Sequence, residues 1–320
     1  MGSGYPPWPK GSIVLMRESL NEHTLFATIA MYLSENDGLV LVVEGDDDCL
    51  ALEEHCSPDL RLIAGIGGKP QILKTASLAQ QRGVGRARFL IDKDYDSYDE
   101  DFSDNFRNVI VSRTHDLFID MAESDESLLI NLIKIHTAPA RRRPKGKRVI
   151  PSESEIRAEA IALAAHLAAV RVVATQRGIS LKFDRFPFGE LKVKDFNSRI
   201  IAKKVIDRSS YAGDDTDIIL NEVEQVRAEF DSFPQPPIGD HDLFRALARL
   251  LKCFGISVNC RELQQNFIFA VTYTCRALTG TKWFQEIQEW CTGVGKTGFT
   301  CQLSVTDSYD RQPVLLDQSI

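Results

Sequence analysis

The chain has 320 residues, 43% of them apolar and 26% charged, with a net charge of -7, which is ordinary globular composition and length enough for two domains. No apolar stretch reads as the roughly 18 residues of a membrane span, and the start lacks a signal-peptide pattern, so a cytoplasmic protein is expected. The seven cysteines are scattered without a CxxC pair, which argues against zinc and disulfide scaffolds and for a reducing compartment.

Residues 1–15, with Gly2, Gly4, Pro6, Pro7 and Pro9, read as a detached or tag-like segment, and Met16 as an alternative start. Ser19 and Glu22 have capping-box spacing ahead of Leu25, Phe26, Ile29 and Leu33, which predicts a helix closed by Asp37 and Gly38. Strands then alternate with helices. Strands are expected over 39–44, 60–64, 87–92 and 108–112, with helices over 47–56 and 70–81 between the first three. The strands are apolar on both faces and their connections short, the signature of a parallel sheet covered by helices. A helix over 115–136 completes this α/β part.

The second half reads as helical. Ser152 and Glu155 form another capping box before an alanine-rich helix reaching about Arg177. Residues 179–205 are ambiguous, with ISLKF suggesting a short strand. Further helices are expected over 217–230, 240–254, 261–278 and 283–291, and the last twenty residues read as irregular. Charge divides the same way: residues 1–135 hold 23 acids and 12 bases, residues 136–320 hold 22 acids and 26 bases.

Two acidic clusters carry the functional signal: LVVEGDDD, Leu41 to Asp48, and FLIDKDYD, Phe89 to Asp96. Each follows a predicted strand, so Glu44, Asp92 and Asp94 should meet at strand C-terminal ends, where open α/β sheets bind ligands. Carboxylates gathered there repel one another. A hard cation with oxygen ligands, Mg²⁺ or Mn²⁺, would relieve that repulsion, with Asp48 as a further ligand. Lys69, at a helix start, is placed either to meet a phosphate or simply to be exposed. Asp46, Asp47 and Asp96 read as solvated loop acids, and Asp99, Glu100, Asp101 and Asp104 as a polar loop.

The order of these motifs is similar to that of the Toprim fold of topoisomerases, primases and OLD-family nucleases. The matching residues are Glu44, Gly45 and Asp48, the turn Gly67, Gly68 and Lys69, and the pair Asp92 and Asp94. With Thr114, Asp116 and Leu117, and a late His241, Asp242 and Leu243, the chain more narrowly resembles the DUF4435 Toprim proteins, the family that supplies the effector nuclease of the PARIS anti-phage system.

That resemblance implies a Toprim-like catalytic domain over 16–138, a basic linker over 139–151 and a mainly helical C-terminal domain over 152–320. It also implies pairing with an ABC-type ATPase sensor, release by a phage trigger, homodimerisation and attack on transfer RNA. Many relatives carry a glutamate where Phe118 stands, which leaves Asp116 or Asp120 as the third metal-side acid. A Toprim protein that nicks DNA, or an inactive binding module of the same fold, remains an alternative.

Two other motifs have competing readings. Arg141, Arg142 and Arg143, followed by Lys145, Lys147 and Arg148, form either a solvated linker or a phosphate-contacting loop. His241 and Asp242 either cap a helix or touch substrate or partner. TGVGKTG, Thr292 to Gly298, imitates a phosphate-binding loop, but Trp290 stands where that motif needs its first glycine.

Overall fold

The computed structural model describes residues 21–95, 106–142, 149–184, 186–233 and 235–301. The tag-like segment, Ser19, Asp96, the polar loop at 99–104, Arg143, Lys145, Lys147, Arg148 and the last nineteen residues lie outside these ranges.

The chain is α/β, with a four-stranded parallel sheet flanked by helices. The strands are β1 (Leu39–Val43), β2 (Leu60–Ala64), β3 (Ala87–Ile91) and β4 (Val109–Val111), in the order β2-β1-β3-β4. The register runs Leu39 to Leu60 and Val43 to Ala64 across β1 and β2, Val42 to Phe89 across β1 and β3, and Phe89 to Val109 across β3 and β4.

Alternation along each strand sorts the apolar side chains into two cores. Val40, Val42, Phe89, Ile91 and Val109 face Leu25, Ile29 and Leu33 of α1 (Glu22–Glu35) and Ile72, Ala76 and Ala79 of α3 (Lys69–Gln81). Leu39, Leu41, Val43, Leu90 and Ile110 face the other way, toward α2 (Asp46–Leu52) and the helical half. Cover on both faces is why β1 is buried at every position. Since β1 and β3 are central neighbours whose onward connections leave in opposite directions, their C-terminal ends frame a switch-point crevice.

The helical half comprises α4 (Leu117–Ser124), α5 (Ser127–Arg142), α6 (Glu153–Arg177), α7 (Ser198–Ser209), α8 (Thr216–Glu229), α9 (Asp240–Cys253), α10 (Cys260–Thr272), α11 (Arg276–Thr279) and α12 (Lys282–Gly293). Its buried residues and those of the second sheet face form a single core. The predicted linker is helical at its start, because α5 runs through Pro139 to Arg142.

Several expectations are corrected. The cap of α1 is Asn21, whose side chain accepts from the amides of His23 and Thr24. The predicted 115–136 helix is two helices, broken where Asp125 turns extended and its side chain accepts from Ser127 N–H. ISLKF forms no strand: Gly178, in the left-handed region, ends α6, and Ile179, Leu181 and Phe183 pack against the helices instead. The 261–278 helix breaks after Thr272, and α11 restarts beyond Cys275.

By length and hydropathy α6 could cross a membrane, contrary to the sequence reading. It packs into the helical core through buried residues spread between Ile156 and Ala174, and is closed at its start by the expected Ser152 and Glu155 capping box. A Cys275–Cys301 disulfide is also present, where none was expected. The two cysteines are 26 residues apart and meet only through tertiary packing.

Residues 294–301 form a strap along the N-terminal edge of the sheet. Lys296 Nζ donates to Asp37 Oδ2 (2.8 Å), and the Thr297 amide to Asp59 Oδ2 (3.0 Å). Ser57 N–H then donates to Gly298 O (2.9 Å) and Thr300 N–H to His55 O (2.7 Å). The TGVGKTG segment therefore closes the fold, and its lysine is spent on Asp37.

Candidate acidic active site

The ends of β1 and β3 bring the predicted acids together through the backbone. Glu44 follows β1, and its Oε1 accepts from the amide of Asp92, which follows β3 (2.8 Å). Asp92 Oδ1 in turn accepts from Leu117 N–H at the start of α4 (3.0 Å). Asp48, in the first turn of α2, accepts from Gly45 N–H through Oδ2 (2.9 Å). Each carboxylate is thus oriented by one amide, which leaves its other oxygen for chemistry.

Asp94 stands apart from this group. Its backbone is left-handed (φ 55°), a conformation aspartate tolerates better than most residues. Its amide is pinned to His115 O (2.8 Å). Its side chain, 45% exposed, pairs with Lys69 Nζ (3.2 Å). Lys69 is not simply exposed at a helix start: its side chain is 11% exposed and also donates to Lys93 O (3.0 Å). Two left-handed glycines, Gly67 and Gly68, make the turn that delivers it.

Of the two alternatives for a third acid, Asp116 faces the cluster and Asp120 does not. Asp120 is consumed by the amides of Arg113 and Thr114 and by the Thr114 hydroxyl. Asp116 caps α4 through Oδ1, accepting from Ile119 N–H (2.8 Å). Its Oδ2 accepts from the amide of Asp240 (2.8 Å) and lies 3.2 Å from His115 Nδ1. Asp116 therefore ties α9 to the start of α4, which Asp92 in turn links to the end of β3.

Asp240 and His115 are the site residues that sequence reasoning missed. The late HDL motif draws attention to Asp242, but that carboxylate is bound by Arg171 (2.9 Å) and lies 3.6 Å from Arg245. Asp240, two residues earlier, points to the acids instead, and Gln264 Nε2 donates to its Oδ2 (3.1 Å). Acids at the first and third positions of a helix project about 200° apart, which is the one signal that could have separated them. His115 packs edge-on against Tyr95, and its Nε2 is buried without a hydrogen-bond partner among the described residues.

Burial and mutual repulsion disfavour ionisation here. Asp48 is pushed up to about 7, by burial first and then by Glu44, Asp116 and Asp47. Asp92 is raised well above the usual carboxylate range by burial and by Asp116, Glu44 and Asp48. Asp240 is raised by burial, Asp116, Asp48 and Asp242. Glu44 is raised by burial above all, with Asp94 and Asp116 adding to it and the Asp92 amide and Lys69 opposing it.

The main influences on Asp48, Asp92 and Asp240 are thus burial and other acids, opposed by the single backbone amides of Gly45, Leu117 and His241. Such a donor set fits a hard divalent cation, which would take the place of the protons the acids otherwise retain. No three of these carboxylates bring ligand atoms within 4.8 Å of one another; among the described residues the trio that does is His55, Cys275 and Cys301. The wider spacing suits Mg²⁺, which keeps several of its waters and takes only one or two carboxylates directly.

Beside the acids opens a groove of about 360 Å³ lined by Asp47, His241, Arg245, Arg261, Gln264 and Gln265. Its bases come from the helical half. Arg141, the expected phosphate contact, is engaged elsewhere: its guanidinium donates to the carbonyls of Ile150 and Pro151 and pairs with Glu153 (3.3 Å). Arg142 is exposed at the end of α5. No family model, curated protein or solved structure matches the chain.

Proposed function

We propose that the chain is a divalent-metal-dependent nuclease with a Toprim-like catalytic fold and that it resembles AriB, the toxic effector of the PARIS anti-phage system. The observation that carries this reading is the meeting of Glu44, Asp48 and Asp92 at the ends of two adjacent parallel strands, where burial and the neighbouring acids together raise all three. Mg²⁺ or Mn²⁺, when bound, supplies neutralisation of a phosphate oxygen and a more acidic water. Glu44, Asp92 and Asp48 would hold it.

The side chains do the rest. Glu44, with its raised pKa, holds or releases a proton nearer neutrality and serves as general acid or base. Lys69 fixes Asp94 and offers its charge to a phosphate at the start of α3. Arg245 and Arg261 line the adjoining groove, where an anionic backbone would otherwise meet only acids.

RNA is the preferred substrate, transfer RNA first, and an ABC-type, AriA-like ATPase is the preferred sensor partner that restrains a nuclease active as a homodimer. These finer assignments rest on the resemblance of the VEGxxD, GGK and IDKDYD motifs. The test is expression of the wild type and Glu44→Ala, with sequencing of the cleaved nucleic acids. Mg²⁺-dependent cleavage and toxicity are expected only from the wild type. Survival of both in Glu44→Ala would overturn the nuclease reading, and cuts in DNA alone would overturn the choice of RNA.

A further inference from the structure

Away from the acids, His55, Cys275 and Cys301 bring one nitrogen and two sulfurs within 4.8 Å of one another. His55 ends the 3-10 turn that follows α2, Cys275 precedes α11, and Cys301 lies on the strap. His55 and Cys301 are buried, at 5% and 3% exposure, and Cys275 is exposed. Three segments distant in sequence therefore converge on one point.

The hydrogen bonds at this point do not balance. His55 Nε2 lies 3.0 Å from Val271 O, and a carbonyl can only accept, so Nε2 carries the ring hydrogen. In the neutral imidazole Nδ1 is then a bare lone pair. It faces Cys301 Sγ at 3.2 Å and Cys275 Sγ at 4.0 Å. With the sulfurs bonded to each other, an acceptor meets atoms that have no hydrogen to give. A buried nitrogen aimed in this way calls for an electrophile between it and the sulfurs.

We propose that His55, Cys275 and Cys301 form a site for a borderline-soft divalent cation, Zn²⁺, in the reduced protein. Imidazole and thiolate are the ligands such a cation prefers, and a carbonyl on the far ring nitrogen is the usual device that fixes a ligating histidine. A dithiol reductant supplies two electrons and two protons to open the Cys275–Cys301 bond, leaving as its own disulfide. Zn²⁺ then displaces the two thiol protons to solvent and binds both sulfurs and Nδ1, and the exposed side at Cys275 admits a water as fourth ligand. The disulfide fastens the strap to the segment before α11, and the metallated trio would hold the 3-10 turn that follows α2 as well.

The experiment uses the full chain, reduced with a dithiol that is then removed without air, and titrated with Zn²⁺ or Co²⁺. The wild type is expected to take up a single tight equivalent of Zn²⁺ with a rise in Tm. Its Co²⁺ form should show a thiolate-to-metal charge-transfer band, which oxygen ligands of the acidic site would not produce. Cys275→Ser, at an exposed position, should keep the fold by circular dichroism and lose both signals, whereas Cys253→Ser should keep them. Absence of Zn²⁺ uptake by the reduced wild type, or the same charge-transfer band in Cys275→Ser, would overturn the proposal.

Discussion

The two ends of the parallel sheet treat the same residue type in opposite ways. At the N-terminal edge Asp37 and Asp59 are met by the strap: Lys296 holds the Asp37 carboxyl below its usual range, and the Thr297 amide binds Asp59. At the C-terminal edge Asp240 is buried and Asp48 and Asp92 are partly buried, and all three are raised by burial and by other acids. One end spends its carboxylates on closing the fold. The other keeps charge unbalanced, the state expected where a cation and a polyanion are to be handled.

Substitutions can break this contrast. The largest effect is expected from Asp92→Asn, which keeps an acceptor for Leu117 N–H but removes the charge. Cleavage measured with Mg²⁺ should fall by about 10²–10⁴, while urea denaturation should show equal or greater stability because a buried repulsion is relieved. A strongly destabilised Asp92→Asn would mean that the charge is structural.

Next in size is a separation of neighbours on α9. Asp240→Asn should lower activity by about 10 to 100-fold, as expected of a group acting behind the direct ligands. Asp242→Asn should instead lower stability through the loss of Arg171 and leave the pH profile of cleavage unchanged. Equal effects of the two on both readouts would remove Asp240 from the site.

The pH dependence of metal-free protein gives a third measurement. Asp48 moves from an ordinary 3.8 to about 7 on folding, so between those values the folded state binds more protons than the unfolded state. Stability should therefore fall as pH rises from about 4 to 7 and level off above. Mg²⁺ should flatten that slope, and Asp48→Asn should remove its share of it; thermal melts across this window check both. The smallest effect belongs to the other end: Lys296→Ala removes a solvent-screened pair with Asp37 and should leave Tm nearly unchanged and cleavage intact.

The sheet was legible in the sequence because β1, β2 and β3 are short apolar runs bounded by turn residues, and Glu44, Asp92 and Lys69 because they follow or precede such elements directly. What stayed hidden depends on distance in the chain. Nothing near Cys275 announces Cys301, and no glycine or proline marks the break after Thr272. Asp116 and Asp120 differ only in which amides consume them, a fact settled by Arg113 and Thr114. Asp240 was overshadowed by Asp242 because a motif names letters, whereas the face of a helix decides which carboxylate turns inward.

The hydrogen bond from Asp240 to Asp116 also bears on how the molecule can be dissected. A fragment ending at Arg142 would retain Glu44, Asp48 and Asp92 but would leave Asp116 without the amide that α9 donates, and would strip the covering from Leu128, Leu132 and Ile133 of α5. A unit worth purifying for chemistry thus includes both α4 and α9. A cut near residue 140 would therefore separate Asp116 from its partner on α9.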